Sequence, residues 1–260
     1  MNNSSLVTYT RISPNRTSPR NHVIDTITIH CFVGQVTAES GCNAKNFVTY
    51  NPIKGASCNY VVGYDGSIGL CVEEKDRSWC SSNKANDHRA VTIEVACQPY
   101  APYRVTTEAM NALIKLCADI CTRNGIKKLL WVGDKKLIGQ IDKQNMTVHR
   151  WFAAKSCPGD YLFEKHDYIA EQVNILLGAD IEDEIAKTDR EDGNEFKVRV
   201  SIDDLNIRVG AGTNYRKTGR YTGKGVFTLV DVKQGRGSKS GWGKLKSGAG
   251  WISLDFAQRI

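Results

Sequence analysis

The sequence has no apolar run approaching the ~18 residues that a membrane-crossing helix needs. Its start, MNNSSLVTYT, lacks the basic-then-apolar pattern of a secretory leader. It has no Cys-x-x-Cys pair, and none of its nine cysteines (31, 42, 58, 71, 80, 97, 117, 121 and 157) lies in the last hundred residues. An odd count with neither leader nor paired spacing argues against a disulfide framework and against a zinc ribbon. The absences lead to the expectation of a globular chain made in the cytoplasm, without membrane insertion, whose thiols are reduced and mostly structural. What is present supports a folded core: 41% of the 260 residues are hydrophobic, too many for a disordered chain. That length accommodates one large domain or two modest ones.

Charge placement divides the chain. Residues 1–177 carry a net +4, residues 178–195 a net −6 and residues 196–260 a net +9. A weakly basic body, a short acidic connector and a strongly basic module read as two domains and a linker. Residues 179–195 (ADIEDEIAKTDREDGNE) have few large apolar side chains, which favours a solvated linker.

In the body, residues 23–32 (VIDTITIHCF) alternate Ile27 and Ile29 with Thr26, Thr28 and His30, so a strand is expected with His30 on the Thr face. Residues 59–62 and 68–72 flank Gly63-Tyr64-Asp65-Gly66 and predict a hairpin. Residues 90–97 (AVTIEVAC) place Val91, Ile93 and Val95 on one face and Thr92 and Glu94 on the other. A helix is predicted from Thr106, a capping residue, to about Asn124, with Met110, Leu113, Cys117 and Ile120 in a stripe and Gly125 as its stop. A second runs from about Asp160 to Leu177. Strands interleaved with helices give an α/β domain with a mixed sheet. From Phe196 the short alternating runs FKVRVSI, LNIRVG, VFTLVDV, WGKLK and GWISLDF, separated by Gly-rich breaks, predict a small all-β barrel in which Trp242 and Trp251 are core.

Three residues have the chemistry to hold zinc: His30 at a strand end, His149 in TVHRW and Cys157 in KSCPG. Zinc takes imidazole nitrogen and thiolate sulfur, and three protein ligands leave a fourth position for water. Cys157 lies just before a predicted helix N-terminus and two residues after Lys155, and both features favour a thiolate. Read singly, His30 is an ordinary packed or solvated histidine. Glu94 alone reads as a buried structural acid or a sheet-edge charge, and Lys155 as a solvated lysine.

Longer pieces resolve these alternatives. IHC at 29–31, NYVVGYDGSI at 59–68, SWCSSN at 78–83, VTIEVACQ at 91–98 and HRWFAAKSCPGDYLF at 149–163 occur in one order over most of residues 20–177. They resemble the zinc-dependent N-acetylmuramoyl-L-alanine amidases of the phage-lysozyme and peptidoglycan-recognition-protein type. LNIRVGAGTNYRKTG, with WGKLKSGAGWISLDF after it, resembles bacterial SH3-like wall-binding domains. The resemblance implies an endolysin-like layout: an amidase fold over 1–177, the linker 178–195 and an SH3-like wall-binding barrel over 196–260. It implies His30, His149 and Cys157 as Zn2+ ligands, Glu94 as general base and Lys155 as support for the oxyanion. It also implies cleavage of the amide between N-acetylmuramic acid and L-alanine, after synthesis in a host cytoplasm and release to the wall.

The chain departs from that pattern at three places. Cys58 stands where many relatives have a tyrosine, which leaves Glu94 as the candidate base. Asn59 replaces the His of a His-Tyr pair and Cys80 the His of a Trp-His pair, so groove contacts are expected at Asn59 and Trp79. His88 and His166 are left without a role, as solvated or hydrogen-bonded residues. The net +9 of the last 65 residues is compatible with nucleic acid or an anionic polymer. No nucleic-acid-binding motif accompanies it, so peptidoglycan and teichoic acids are the expected partners, with Asn206, Arg208 and Tyr215 as candidate contacts. The competing reading is a non-catalytic peptidoglycan-recognition protein. Relatives that only bind tend to lack the Cys ligand, which this chain has in Cys157.

Overall fold

A computed structural model describes residues 2–179 and 195–260. Contacts divide the chain into two compact units, Met1–Glu182 and Asp183–Ile260. Most of the expected acidic connector lies outside the described residues.

The first unit runs β1 (Tyr9–Thr10), β2 (Arg16–Thr17), β3 (Thr26–Val33), α1 (Ala38–Cys42), α2 (Lys45–Val48), β4 (Tyr60–Val62), β5 (Ile68–Leu70) and β6 (Arg77–Ser78). It continues through α3 (Lys84–Arg89), β7 (Ala90–Cys97), α4 (Thr107–Asn124), β8 (Met146–Thr147) and α5 (Gly159–Leu177). Six strands form one mixed sheet in the order β1-β5-β4-β7-β3-β8, and β2 pairs with β6 alone. The central neighbours β4, β7, β3 and β8 are parallel, whereas β5 returns antiparallel along β4.

Alternation along β3 and β7 sorts chemistry onto two faces. Ile27, Ile29, Val91, Ile93 and Val95 join the main core with Leu113, Cys117 and Ile120 of α4 and Leu162, Ile169 and Val173 of α5. Thr106 caps α4 by accepting from Ala109 N, and Gly125 closes it in the left-handed region at φ 70°. The opposite face is polar. There Thr28 Oγ1 lies 2.7 Å from Thr147 Oγ1, Asn86 bonds both threonines, and Ser78 Oγ lies 2.7 Å from Thr92 Oγ1. Because every one of these groups is partnered, the sheet carries a buried polar layer without leaving it unsatisfied. His30 and Glu94 continue that layer towards the C-terminal strand ends, where open α/β sheets bind ligands.

The second unit is an all-antiparallel sheet of seven strands: β9 (Phe196–Val200), β10 (Asn206–Arg208), β11 (Lys217–Tyr221), β12 (Gly225–Lys233), β13 (Trp242–Leu245), β14 (Trp251–Ser253) and β15 (Ala257–Arg259). Val198, Val200, Leu205, Ile207, Leu229, Leu245 and Ile252 form its core. Trp242 and Trp251 are buried. No described helix is long and apolar enough to cross a membrane.

Candidate metal centre

The parallel register of β3 and β7 sets His30 opposite Glu94. His149 arrives from the short turn after β8, and Cys157 from the segment that leads into α5. Among the described residues, His30, His149 and Cys157 offer donor atoms that all lie within 4.8 Å of one another. Cys157 Sγ is 3.5 Å from His30 Nδ1, and the two imidazole rings meet edge to face at 5.1 Å. His149 Nε2 lies 3.0 Å from Ser82 Oγ, which leaves Nδ1 for another partner.

The electrostatics suit a cation. Burial, and secondarily the neighbouring His149, push His30 down to about 3. Burial and the Lys155 charge also lower His149. Both rings are therefore neutral at pH 7, the form that coordinates metal. His30 Nε2 and Glu94 Oε2 are buried and meet no hydrogen-bond partner among the described residues, an expensive arrangement unless something else binds there. Two imidazoles and a thiol with orphaned polar atoms beside them fit zinc.

The thiols behave differently from the expectation of a ready thiolate at Cys157. A hydrogen bond shared with Cys31, followed by burial, raises Cys157, while hydrogen bonds from Cys157 and Cys97 lower Cys31. Metal binding at Cys157 requires loss of its thiol proton. Burial pushes Glu94 up to about 8, with the nearby Cys31 charge as a further cause.

A cavity of about 250 Å³ opens on this cluster, lined among others by Cys31, Phe47, Ser57, Cys80, Glu94 and His149. All nine cysteines are free. Six are buried, but Cys31, Cys80 and Cys157 are partly exposed and stand at the site. Cys31 and Cys80 thus depart from the structural role expected of them. Cys80 Sγ donates to Glu94 Oε1 at 3.8 Å. The sequence signal for it was only its place beside Trp79, which nine scattered thiols obscure.

Lys155 is exposed beside the cluster. Cys58 is fully buried, in a small core with Cys42, Phe47, Val61 and Cys71, and is not at the cavity. Asn59, expected in the groove, is instead a strut. It is fully buried, accepts from Thr92 N at 3.1 Å and donates to Val72 O at 3.1 Å, which leaves it no surface to offer a ligand. Trp79 is partly exposed, with its ring 6.4 Å from that of Tyr50 and its Nε1 donating to Thr17 Oγ1. His88 accepts from Asn21 N, and His166 is buried against Trp131.

In the second unit Arg208 donates to Tyr215 O at 2.7 Å and to Thr213 O at 3.3 Å, and its guanidinium lies 5.9 Å from the Trp242 ring. The turn carrying Tyr215 is therefore braced by Arg208. Asn206 is partly exposed on β10 and donates to Asp204 O.

Residues 20–160 match the family model described as N-acetylmuramoyl-L-alanine amidase. Similar solved structures include a selenomethionine derivative of AmpD (16% identity, 64% of this chain and 96% of that chain covered, TM-score 0.46). A mutant endolysin from Bacillus subtilis is 16% identical, with 64% of this chain and 99% of that chain covered at a TM-score of 0.45. Peptidoglycan recognition protein-LE in complex with tracheal cytotoxin is 15% identical, with 62% and 92% covered at a TM-score of 0.44. No curated protein matches the chain.

Proposed function

Since the chain belongs to the N-acetylmuramoyl-L-alanine amidase family, whose model spans more than half of it, we propose that its first unit is a zinc-dependent peptidoglycan hydrolase. Its substrate is the amide between the lactyl group of N-acetylmuramic acid and the L-alanine of the stem peptide. The observation that carries this reading is the convergence of His30, His149 and Cys157, with His149 and Glu94 lining the adjoining cavity.

His30, His149 and Cys157 would hold the ion. Zinc supplies a Lewis acid and lowers the pKa of water to about 7. Glu94 takes the proton of the attacking water and returns it to the departing amine. Its pKa of about 8 suits a group that exchanges a proton near neutrality. The Cys80 thiol engages one oxygen of Glu94 and leaves Oε2 without a partner for that exchange. Lys155 contributes positive charge towards the oxyanion that develops on the carbonyl, and the same charge is felt at His149. The second unit is an SH3-like anchor for anionic wall polymer, peptidoglycan or teichoic acid. The whole chain acts at the bacterial wall after release from the cell that makes it.

The test is release of N-terminal alanine from purified wall by wild type, Glu94→Ala and Cys157→Ala, with zinc measured in each. Wild type releases alanine and holds one zinc, Glu94→Ala keeps the zinc and loses release, and Cys157→Ala loses both. Release at the wild-type level by both variants would overturn the proposal.

A further inference from the structure

Cys80 is a cavity thiol that no zinc-ligand role accounts for. With His30 and Glu94 it offers a second set of donor atoms, again within 4.8 Å of one another. The set shares His30 with the first but adds two groups that become anionic on coordination. Its members are held firmly. Glu94 lies on β7 between β3 and β4, opposite His30 and Val61. The Cys80 backbone N–H donates to Asp87 Oδ2 at 3.1 Å, and Asp87 is itself bound by Ser81 Oγ at 2.5 Å.

Two observations point to a ligand here rather than to packing. Glu94 Oε2 and His30 Nε2 are both buried without hydrogen-bond partners, although His30 Nδ1 already faces Cys157. The Cys80–Glu94 contact, at 3.8 Å, is long, so it leaves the carboxylate poorly satisfied. A thiolate, a carboxylate and an imidazole select a thiophilic divalent ion such as zinc or cadmium over magnesium or calcium. Charge also balances. The first ion keeps a net positive charge beside one thiolate, whereas a second would be neutralised by its own thiolate and carboxylate.

We propose that His30, Cys80 and Glu94 form a second, weaker site for a thiophilic divalent cation, and that filling it inhibits the chain by occupying Glu94. This rests on the function proposed above, in which Glu94 must be free to accept a proton. His30 presents Nδ1 towards Cys157 and Nε2 to the second site, so binding releases both the Cys80 thiol proton and the ring proton of His30 to solvent, with Glu94 coordinating as its carboxylate, and involves no redox step.

Metal-stripped full-length protein titrated with cadmium tests it, with cadmium–thiolate charge-transfer absorption and bound metal per chain as readouts. Wild type takes up two equivalents, both with thiolate absorption, while Cys80→Ser and Glu94→Gln each take up one. Zinc beyond one equivalent suppresses wall hydrolysis by wild type. It does not suppress hydrolysis by Cys80→Ser, measured against that variant's own activity at one equivalent. Saturation of wild type at one equivalent overturns the proposal, as does a second equivalent that survives in both variants. Failure of the underlying reading looks different: no wall hydrolysis at any zinc level, or a Cys157→Ser variant that still takes up two equivalents.

Discussion

Glu94 and Asn59 are polar residues in the same sheet, yet the structure gives them opposite fates. Asn59 has its amide partnered on both ends, whereas Glu94 retains an oxygen with no partner at a cavity wall. Glu94→Gln therefore is expected to lower wall hydrolysis by about 10²–10⁴-fold, the usual value of a general base, with one zinc still bound by metal analysis. Asn59→Ala strands Thr92 N and Val72 O and is expected to cost about 1–3 kcal/mol, read from urea unfolding. Both residues stand out in the sequence, and only the resemblance assigned them roles. Period-2 alternation identifies which face Glu94 takes but does not say whether that face is packed, hydrogen-bonded or open. Cys80 shows the same limit. It lies 14 residues before Glu94, and nothing local in that spacing reports that the two side chains meet.

At the scale of elements, the long amphipathic segments were legible because their signals are local. The strand over 90–97 and the helix after Thr106 appear at the expected places, since alternation, a capping threonine and a stop glycine act within a few residues. The short pieces β1, β2, β6 and β8 were not anticipated. Each has only two residues and exists because a neighbouring strand supplies its hydrogen bonds. Close packing of α1 on β5 depends on Gly69. A Cβ there would collide with Cys42 Sγ and come within 3.0 Å of Ala38 O. Gly69→Ala is expected to destabilise the first unit by about 1–3 kcal/mol, seen as a lower Tm. In α5, burial holds His166 neutral and pushes it down to about 4. An unfolded histidine titrates near ~6.5, so between these values the unfolded chain binds a proton that the folded chain does not. His166 thus costs nothing above pH ~6.5, and stability falls as pH drops through the window, by roughly 3 kcal/mol in all. His166→Leu is expected to flatten the acid arm of stability, measured as the difference in urea midpoint between pH about 7 and about 4.5.

At the scale of the molecule, the charge asymmetry sets a nearly balanced stretch of sequence apart from a basic one, and contacts divide the chain into two compact units. Lys217 and Arg220 are exposed on β11, so their charge is available to an anionic polymer, whereas Arg208 is engaged within its own unit. Lys217→Glu with Arg220→Glu is expected to weaken cosedimentation with purified wall by about tenfold at low salt, since exposed charges contribute up to ~1 kcal/mol each. The same double variant should bind with a shallower salt dependence, because fewer screened contacts remain. Read alone, the sequence established the α/β and all-β textures and the main helices and strands. Composition, charge and short-range periodicity act along the chain and can be read there. Only the tertiary structure decided that His30, His149 and Cys157 share one centre, that Cys31 and Cys80 face its cavity, and that Asn59 does not. Those facts depend on strand register and on loops returning from more than a hundred residues away, and the contacts that set them are made across the fold.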